Sequence, residues 1–500
     1  MKSQIERKKL LELLLQGKDR ARQFQRPILV SFTQPIAPFN PIDLFEFFRG
    51  VDKCASFWAQ PDKHFAMASL GEAHLIETEG SQRYTETALA WNRLLEHAVI
   101  YDPVPILASG PVLIGGFVYD ADIPKTDLWQ GFAEGSFALP RLQLNFADGQ
   151  NRLTFNVVVD SKLDPQIEVD NLTTLWNKAI SASNLNQEIP DKADEVKCEA
   201  ALLVTEWKQI VHDAVAAITA GSFEKTVLAR TIKITGPRPF NVKLAIQRLS
   251  EFYPHAYVFA VQRGAYCFLG ATPERLVQLD YGLVKTTALA GTTRRGSNIL
   301  EDTQLGEQLM SSEKDRREHN VVVQMIHNTL MPICIDIDFP DKPVLLQLSN
   351  VQHLYTPISG RLSSDKTLLD LVAMLHPTPA VCGLPRQPAQ AYIRAHEKLD
   401  RGWYAGPIGW LDRRGDGEFA VALRSALVED CQAFLFAGCG IVADSNPDSE
   451  YQETVFKLGA MLFALGGDDR RKAAEDRRKA SKDSRGGRDR RIEKAGRKSG

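Results

Sequence analysis

Short runs with strand-like composition dominate the first third of the chain, at residues 28–32, 64–68, 111–119 and 153–159, with a helical pattern between them at about 85–97. Residues 161–200 are polar and irregular and read as a connection. A helix is predicted over 202–220, with apolar positions at Val204, Trp207, Ile210, Val211 and Val215, and Gly221 ends it. A strand follows Lys225, then a helix over 241–252, then consecutive strands at 256–261, 265–270, 275–279 and 283–289. Residues 303–330 hold no proline and only Gly306, and apolar positions recur at Val321, Val322, Met325 and Ile326, which predicts one long helix. Strands at 344–348 and 353–362, helices at 368–375 and 390–399, and strands at 406–411, 419–427 and 433–436 lead to a last helix through Phe456, Leu458, Met461 and Leu465. Runs of strands broken by occasional helices, without strict alternation, predict an α+β fold of large antiparallel sheets packed in layers with helices outside. Four segments are expected: an N-terminal helical arm (1–26), a strand-rich first half (27–200), a second half (201–466) and a tail (467–500).

Composition changes this picture only at the C-terminus. The chain has 500 residues, 44% of them hydrophobic, and a formal charge of -2, enough for one large layered domain or two to three ordinary ones. The tail carries 14 Lys+Arg against 7 Asp+Glu, which leaves the rest mildly acidic. Almost without apolar residues, the tail is expected to be disordered, and its interleaved charges argue against a nucleic-acid arm. Seven scattered cysteines form no C-x-x-C pair, which argues against a disulfide framework or structural zinc and for a reducing, cytoplasmic setting. No apolar run approaches membrane-spanning length.

Two carboxylate pairs stand out. Asp315 and Glu318 share a face of the predicted 303–330 helix, and Glu450 and Glu453 have the same spacing at the start of the last one. Each pair alone is most simply a solvated acidic face; together they could close on a hard cation, and magnesium is the natural candidate. Lys225, where a loop enters an apolar strand, could be a partly desolvated general base or an ordinary surface lysine. Glu274, after Thr272-Pro273 at a strand boundary, is a second candidate for chemistry, or merely the partner of Arg275. Arg424 is expected inside an apolar strand, sharing a face with Ala420 and Ala422, and an inward arginine needs an anionic partner. Tyr404 could offer its phenol to that anion, and Gly291-Thr292 and Gly438-Cys439-Gly440 are turns where backbone N–H groups could approach it. Walker, H-E-x-x-H and G-x-S-x-G motifs are absent from the sequence.

Seven segments in order give these residues a common context: Lys225-Thr226-Val227-Leu228-Ala229-Arg230, Gly270-Ala271-Thr272-Pro273-Glu274, Leu289-Ala290-Gly291-Thr292, Glu313 to His319, His376 to Gly383, Arg401 to Gly406, and Gly438 to Val442 followed by Glu450 and Glu453. From about residue 200 to 465 the chain resembles the chorismate-binding enzymes, which include isochorismate synthases, salicylate synthases and the large components of anthranilate and aminodeoxychorismate synthases. The first half resembles the more variable N-terminal part of isochorismate synthases. The resemblance implies that Glu318 and Glu453 hold magnesium directly, and Asp315 and Glu450 through water. It implies that Tyr404 and Arg424 hold the enolpyruvyl carboxylate of chorismate, with Gly291, Thr292, Gly440, His353 and Ala380 also at the substrate. Lys225 would deprotonate the water attacking C2, and Glu274 would protonate the leaving C4 hydroxyl.

Within the family, ammonia-using members have Gln where this chain has Lys225, and aminodeoxychorismate synthases have a nucleophilic lysine at the place of Ala290. Lys225 and Ala290 therefore imply water as the nucleophile and isochorismate as the product. Salicylate synthase is the alternative, and Ala380 leans away from it, since those enzymes often carry Thr there. Anthranilate synthase is a more distant alternative, and no glutaminase partner is expected. A non-catalytic binding protein would need a broken site, which this set of residues is not. The long N-terminal half leans toward the menaquinone rather than the siderophore branch, and a monomer is expected.

Overall fold

The computed structural model describes residues 4–183, 196–347, 351–363 and 365–466. The expected disordered tail lies outside the described residues. Two large sheets form the body, one of 13 strands and one of 10. Every pairing among the described residues is antiparallel except that of Ile28–Pro35 with Val99–Tyr101. Both sheets mix strands from the two halves of the sequence: Cys54–Gln60 pairs with Tyr257–Arg263 in the larger, and Val112–Phe117 pairs with Pro407–Asp412 in the smaller.

Between the sheets lies a core in which Trp58, Phe259 and Phe268 of the larger meet Phe117, Phe137 and Phe419 of the smaller. The other face of the larger sheet buries Phe32, Phe57, Leu144 and Leu269 against helices Arg7–Phe24, Pro41–Val51, Pro165–Ser183, Val242–Phe252 and Pro447–Ala464. Helix Val204–Thr219 packs separately, through Trp207 and Val211, on Leu228, Cys439 and Ile441. The layers therefore run from helices through sheet, core and second sheet to helices, as the pattern of the sequence predicts.

Three local expectations are corrected. The 303–330 stretch is two helices, Ile299–Ser311 and Glu313–Leu330. Ser312 breaks it with an extended backbone, and its hydroxyl accepts from Asp315 N–H as an N-cap. The polar connection at 161–200 contains the 19-residue helix Pro165–Ser183, which buries Val169, Leu172, Trp176 and Ala179. The N-terminal arm is a helix, Arg7–Phe24, that packs through buried Leu10, Leu13 and Leu14. Arg424 is not in a strand: Gly417–Val421 ends before it and Ser425–Glu429 begins after it.

That last correction locates the site. Tyr266–Thr272 belongs to the larger sheet and Arg275–Asp280 to the smaller, so Pro273 and Glu274 form a corner where the chain changes sheets. Gly417–Val421 and Ser425–Glu429 make the reverse crossing, with Leu423 and Arg424 at the corner. The corners are tied to each other, Val421 N–H donating to Glu274 C=O at 3.0 Å and Ala271 N–H to Arg424 C=O at 3.2 Å. Chemistry-bearing side chains thus stand at a sheet-to-sheet corner held by backbone hydrogen bonds on both sides.

Candidate active site

One cavity at this end of the sandwich is lined by Lys225, Glu274, Ala290, Gly291, Thr292, Glu318, His353, Ala380, Tyr404, Arg424, Gly440 and Glu453. Eleven other residues complete its wall, Lys457 and Arg401 among them. Of the residues expected at the site, Asp315 and Glu450 do not line it. Asp315 stands behind Gly291, whose positive φ of 74° accompanies a register shift between Ala290 and Thr292. Glu450 bonds to Ser445 and the Cys439 thiol, and burial raises its carboxyl.

Lys225 is the first residue of strand Lys225–Thr235 and is 8% exposed. Its ammonium lies 2.5 Å from Glu318 Oε1. Burial alone would raise the Glu318 carboxyl, but the charge and hydrogen bond of Lys225, together with the charges of Lys314 and Lys457, outweigh it and hold the group below its ordinary range. Gly440 on the neighbouring strand makes room for this lysine, since a Cβ there would lie 2.9 Å from Lys225 Cε. A second cavity, bounded by Lys314, Arg317, Val321, Pro379 and Asp444, meets the first at Lys225 and Glu318.

Glu274 is 5% exposed and, among the described residues, accepts one side-chain hydrogen bond, from Thr378 Oγ1 at 3.3 Å. Burial pushes its carboxyl from 4.5 up to about 7, against the opposing pull of Thr378 and Lys225. Arg275 does not neutralise it: that guanidinium donates to Glu418 Oε1 at 2.9 Å and Tyr257 OH at 2.8 Å. A buried carboxyl without a cation partner is suited to carrying a proton near neutrality.

Arg424 holds φ at 48°, the left-handed region that a non-glycine residue enters at a cost. Its Nη2 lies 3.4 Å from His353 Nε2, and its Nη1 is buried with no partner among the described residues. An arginine can only donate, so Nε2 accepts and Nδ1 carries the ring proton toward Thr292 Oγ1, 2.9 Å away. Burial, and then the Arg424 charge, push His353 down to about 3, so the ring is neutral. Arg401, also on the cavity wall, is different. It forms a bidentate pair with Glu397 and donates to the carbonyls of Val381 and Val227, which leaves it a brace, whereas Arg424 keeps an N–H for an anion. Tyr404, 3% exposed, stacks on Phe436 with ring centroids 5.1 Å apart.

Lys457 is a site residue that motif reasoning missed. It lies 2.7 Å from Glu453 Oε1 and donates to Gly438 C=O at 3.0 Å. The available signal was its position one helical turn after Glu453. Glu318 and Glu453 therefore reach one cavity from two helices, each paired with a lysine. Among the described residues, no three His, Cys, Asp or Glu side chains gather as a metal cluster.

A family model described as chorismate binding enzyme matches residues 14–466, and the chain belongs to that family. Isochorismate synthase MenF of Bacillus subtilis is 37% identical over 469 residues, 91% of this chain and 98% of the relative. The salicylate biosynthesis isochorismate synthase of Pseudomonas aeruginosa is 38% identical over 90% of this chain and 93% of its own. Among solved structures, the menaquinone-specific isochorismate synthase MenF of Escherichia coli superposes with a TM-score of 0.72 at 25% identity, covering 90% of this chain and 99% of that one. Anthranilate synthase component I of Streptococcus pneumoniae, at 22% identity and a TM-score of 0.65 over 80% of this chain and 92% of its own, shares the fold. Among the described residues, no helix is long and apolar enough to cross a membrane.

Proposed function

We propose that this protein is an isochorismate synthase, converting chorismate reversibly to isochorismate. The observation that carries the reading is one cavity faced by a buried lysine, a carboxyl that burial raises to about 7 and a buried arginine with an N–H unpartnered among the described residues. Arg424 and Tyr404 hold the enolpyruvyl carboxylate. Lys225, as the free amine after giving its own proton to solvent, accepts a proton from water as the water oxygen bonds to C2, the ring double bond shifts, and the C4–O bond breaks. Glu274 gives its proton to the departing hydroxyl, which leaves as water. Solvent then restores both groups, so the net change is an isomerisation.

The carboxylate pair supports a magnesium ion. Both donors are oxygen, they come from two helices, and magnesium takes one or two protein carboxylates while keeping places for water and substrate. Glu318 and Glu453, which line the cavity, would hold it, and Asp315 and Glu450, set back from the cavity wall, would act on it only through water. When bound, it supplies positive charge for the ring carboxylate of chorismate. Saturating magnesium is expected to raise the melting temperature of the wild type, as any ligand specific to the folded state does. That increase is expected to vanish in Glu453→Gln, and chelator is expected to slow turnover. An equal rise in both proteins, or full activity in excess chelator, would remove the metal from this reading.

Product analysis tests the reading as a whole. Protein, chorismate and magnesium are expected to reach a mixture of chorismate and isochorismate, resolved by chromatography, and ammonium is expected to change nothing. Ala290 on the cavity wall leaves no amine at the place where aminodeoxychorismate synthases carry their nucleophile. Salicylate with pyruvate would establish the second elimination step. Anthranilate formed only with ammonium would overturn the role of Lys225, and folded protein that consumes no chorismate would sink the proposal.

A further inference from the structure

The strands that carry Thr292 and His353 end in a hydrogen-bonded lock that touches none of the cavity. Leu283–Arg294 and Val351–Leu362 pair antiparallel, with Thr292 opposite His353 and Thr293 opposite Gln352. Side chains alternate across a strand, so Gln352 points to the face opposite His353. There its Nε2 donates to Asp302 C=O at 2.9 Å and to Asp302 Oδ1 at 3.2 Å. Asp302 belongs to helix Ile299–Ser311. Its carboxylate also takes Arg295 through both oxygens, at 2.8 and 2.6 Å, and Gly296 N–H at 2.7 Å. The helix comes this close because residue 306 is glycine: a Cβ there would lie 2.9 Å from Gln352 Oε1. One carboxylate therefore joins the end of the first strand, through Arg295 and Gly296, to the start of the second, through Gln352.

We propose that Asp302, with Arg295 and Gln352 as its partners, is a positioning residue for substrate binding, acting through His353 on Arg424; this rests on reading the cavity as the chorismate site. Gln352 is fully buried, so the backbone that carries His353 has no freedom to shift while the lock holds. His353 offers Arg424 the acceptor for Nη2, which leaves Nη1 as the guanidinium N–H without a partner. If the strand ends loosen, His353 moves with Gln352, and Arg424 loses the geometry in which that N–H meets a carboxylate. A charge-assisted hydrogen bond from a guanidinium to a carboxylate is strong, so Asp302→Asn, which keeps the side-chain volume but removes the charge that gathers Arg295 and Gly296, should act on ground-state binding.

Steady-state kinetics of Asp302→Asn is the test, with melting temperature as the control. KM for chorismate is expected to rise about tenfold with kcat within about threefold of wild type, the pattern of lost binding. A merely structural role would lower the melting temperature and the active fraction, and so kcat, with KM unmoved. Combining Asp302→Asn with Arg424→Lys separates the routes further: acting through Arg424, the two changes are expected to raise KM by much less than the product of their separate effects. An unchanged KM in folded Asp302→Asn, or independent effects in the double variant, would overturn the inference. Absence of turnover in the wild type is a different outcome, and it would remove the proposed function itself.

Discussion

Lys225→Ala is expected to lower the turnover of chorismate by about 10²–10⁴-fold, the contribution typical of a general base, while chorismate still binds. Binding should survive because the carboxylate contacts proposed for substrate come from Arg424 and Tyr404, on other elements. Lys225 does make one contact that alanine removes, the 2.5 Å ion pair with Glu318. The variant therefore leaves Glu318, a proposed metal ligand, without its lysine, and a fall in turnover could arise from that change. Lys225→Gln controls for it in part: it restores length and a hydrogen-bond donor to Glu318 but cannot take up a proton. Both variants should lose turnover alike if proton transfer is the role of Lys225. Recovery of most activity in Lys225→Gln would assign the residue to holding Glu318 in place. Calorimetric binding of chorismate to each variant shows whether the loss lies in binding or in chemistry.

Much of the site was readable because its residues sit in short segments whose order can be recognised: Lys225, Glu274, Glu318, Tyr404, Arg424 and Glu453 all reach one cavity. Sequence pattern was blind to why they meet. Alternation along a strand predicts which face a residue takes, but not where the strand ends and crosses to another sheet. Alternation therefore places Arg424 in a strand interior, whereas it stands at a corner with φ of 48°. Ser312 shows the opposite case, a legible signal outweighed by a louder one. Ser-x-x-Asp, from Ser312 to Asp315, is a helix-start pattern, yet the apolar period of the following residues suggested a single helix. In the Pro165–Ser183 helix, Val169, Leu172, Trp176 and Ala179 keep helical spacing, diluted by polar neighbours that suggested a connection. Arg401 could not be sorted from Arg424 by sequence at all. Only the hydrogen-bond partners reveal that every nitrogen of the Arg401 guanidinium has a partner, while Nη1 of Arg424 has none among the described residues.

Glu274→Gln is expected to reduce turnover by about 10²–10⁴-fold as well, through loss of the acid, and to do so without weakening the fold. Wild-type Glu274 is buried beside Thr378, with its carboxyl pushed up to about 7. That value lies above its ordinary 4.5, so the folded chain holds this proton more tightly than the unfolded chain does. The group's stabilising contribution is therefore complete below the ordinary value and is lost as pH rises through about 7. Its activity follows the same direction: the protonated carboxyl is the competent acid, so its share of the rate falls as pH passes above about 7. Glutamine keeps the shape and an oxygen for Thr378 but has no proton to lose. Between about pH 5 and about pH 8 the wild-type melting temperature is thus expected to fall further than that of Glu274→Gln, so the variant is the relatively more stable protein at the alkaline end. Melting curves and rates across that range, measured on both proteins, separate this from a damaged fold. A variant that melted lower at every pH would point to structural damage. One that stayed folded and retained near-normal turnover would show that the proton reaches the leaving hydroxyl from elsewhere.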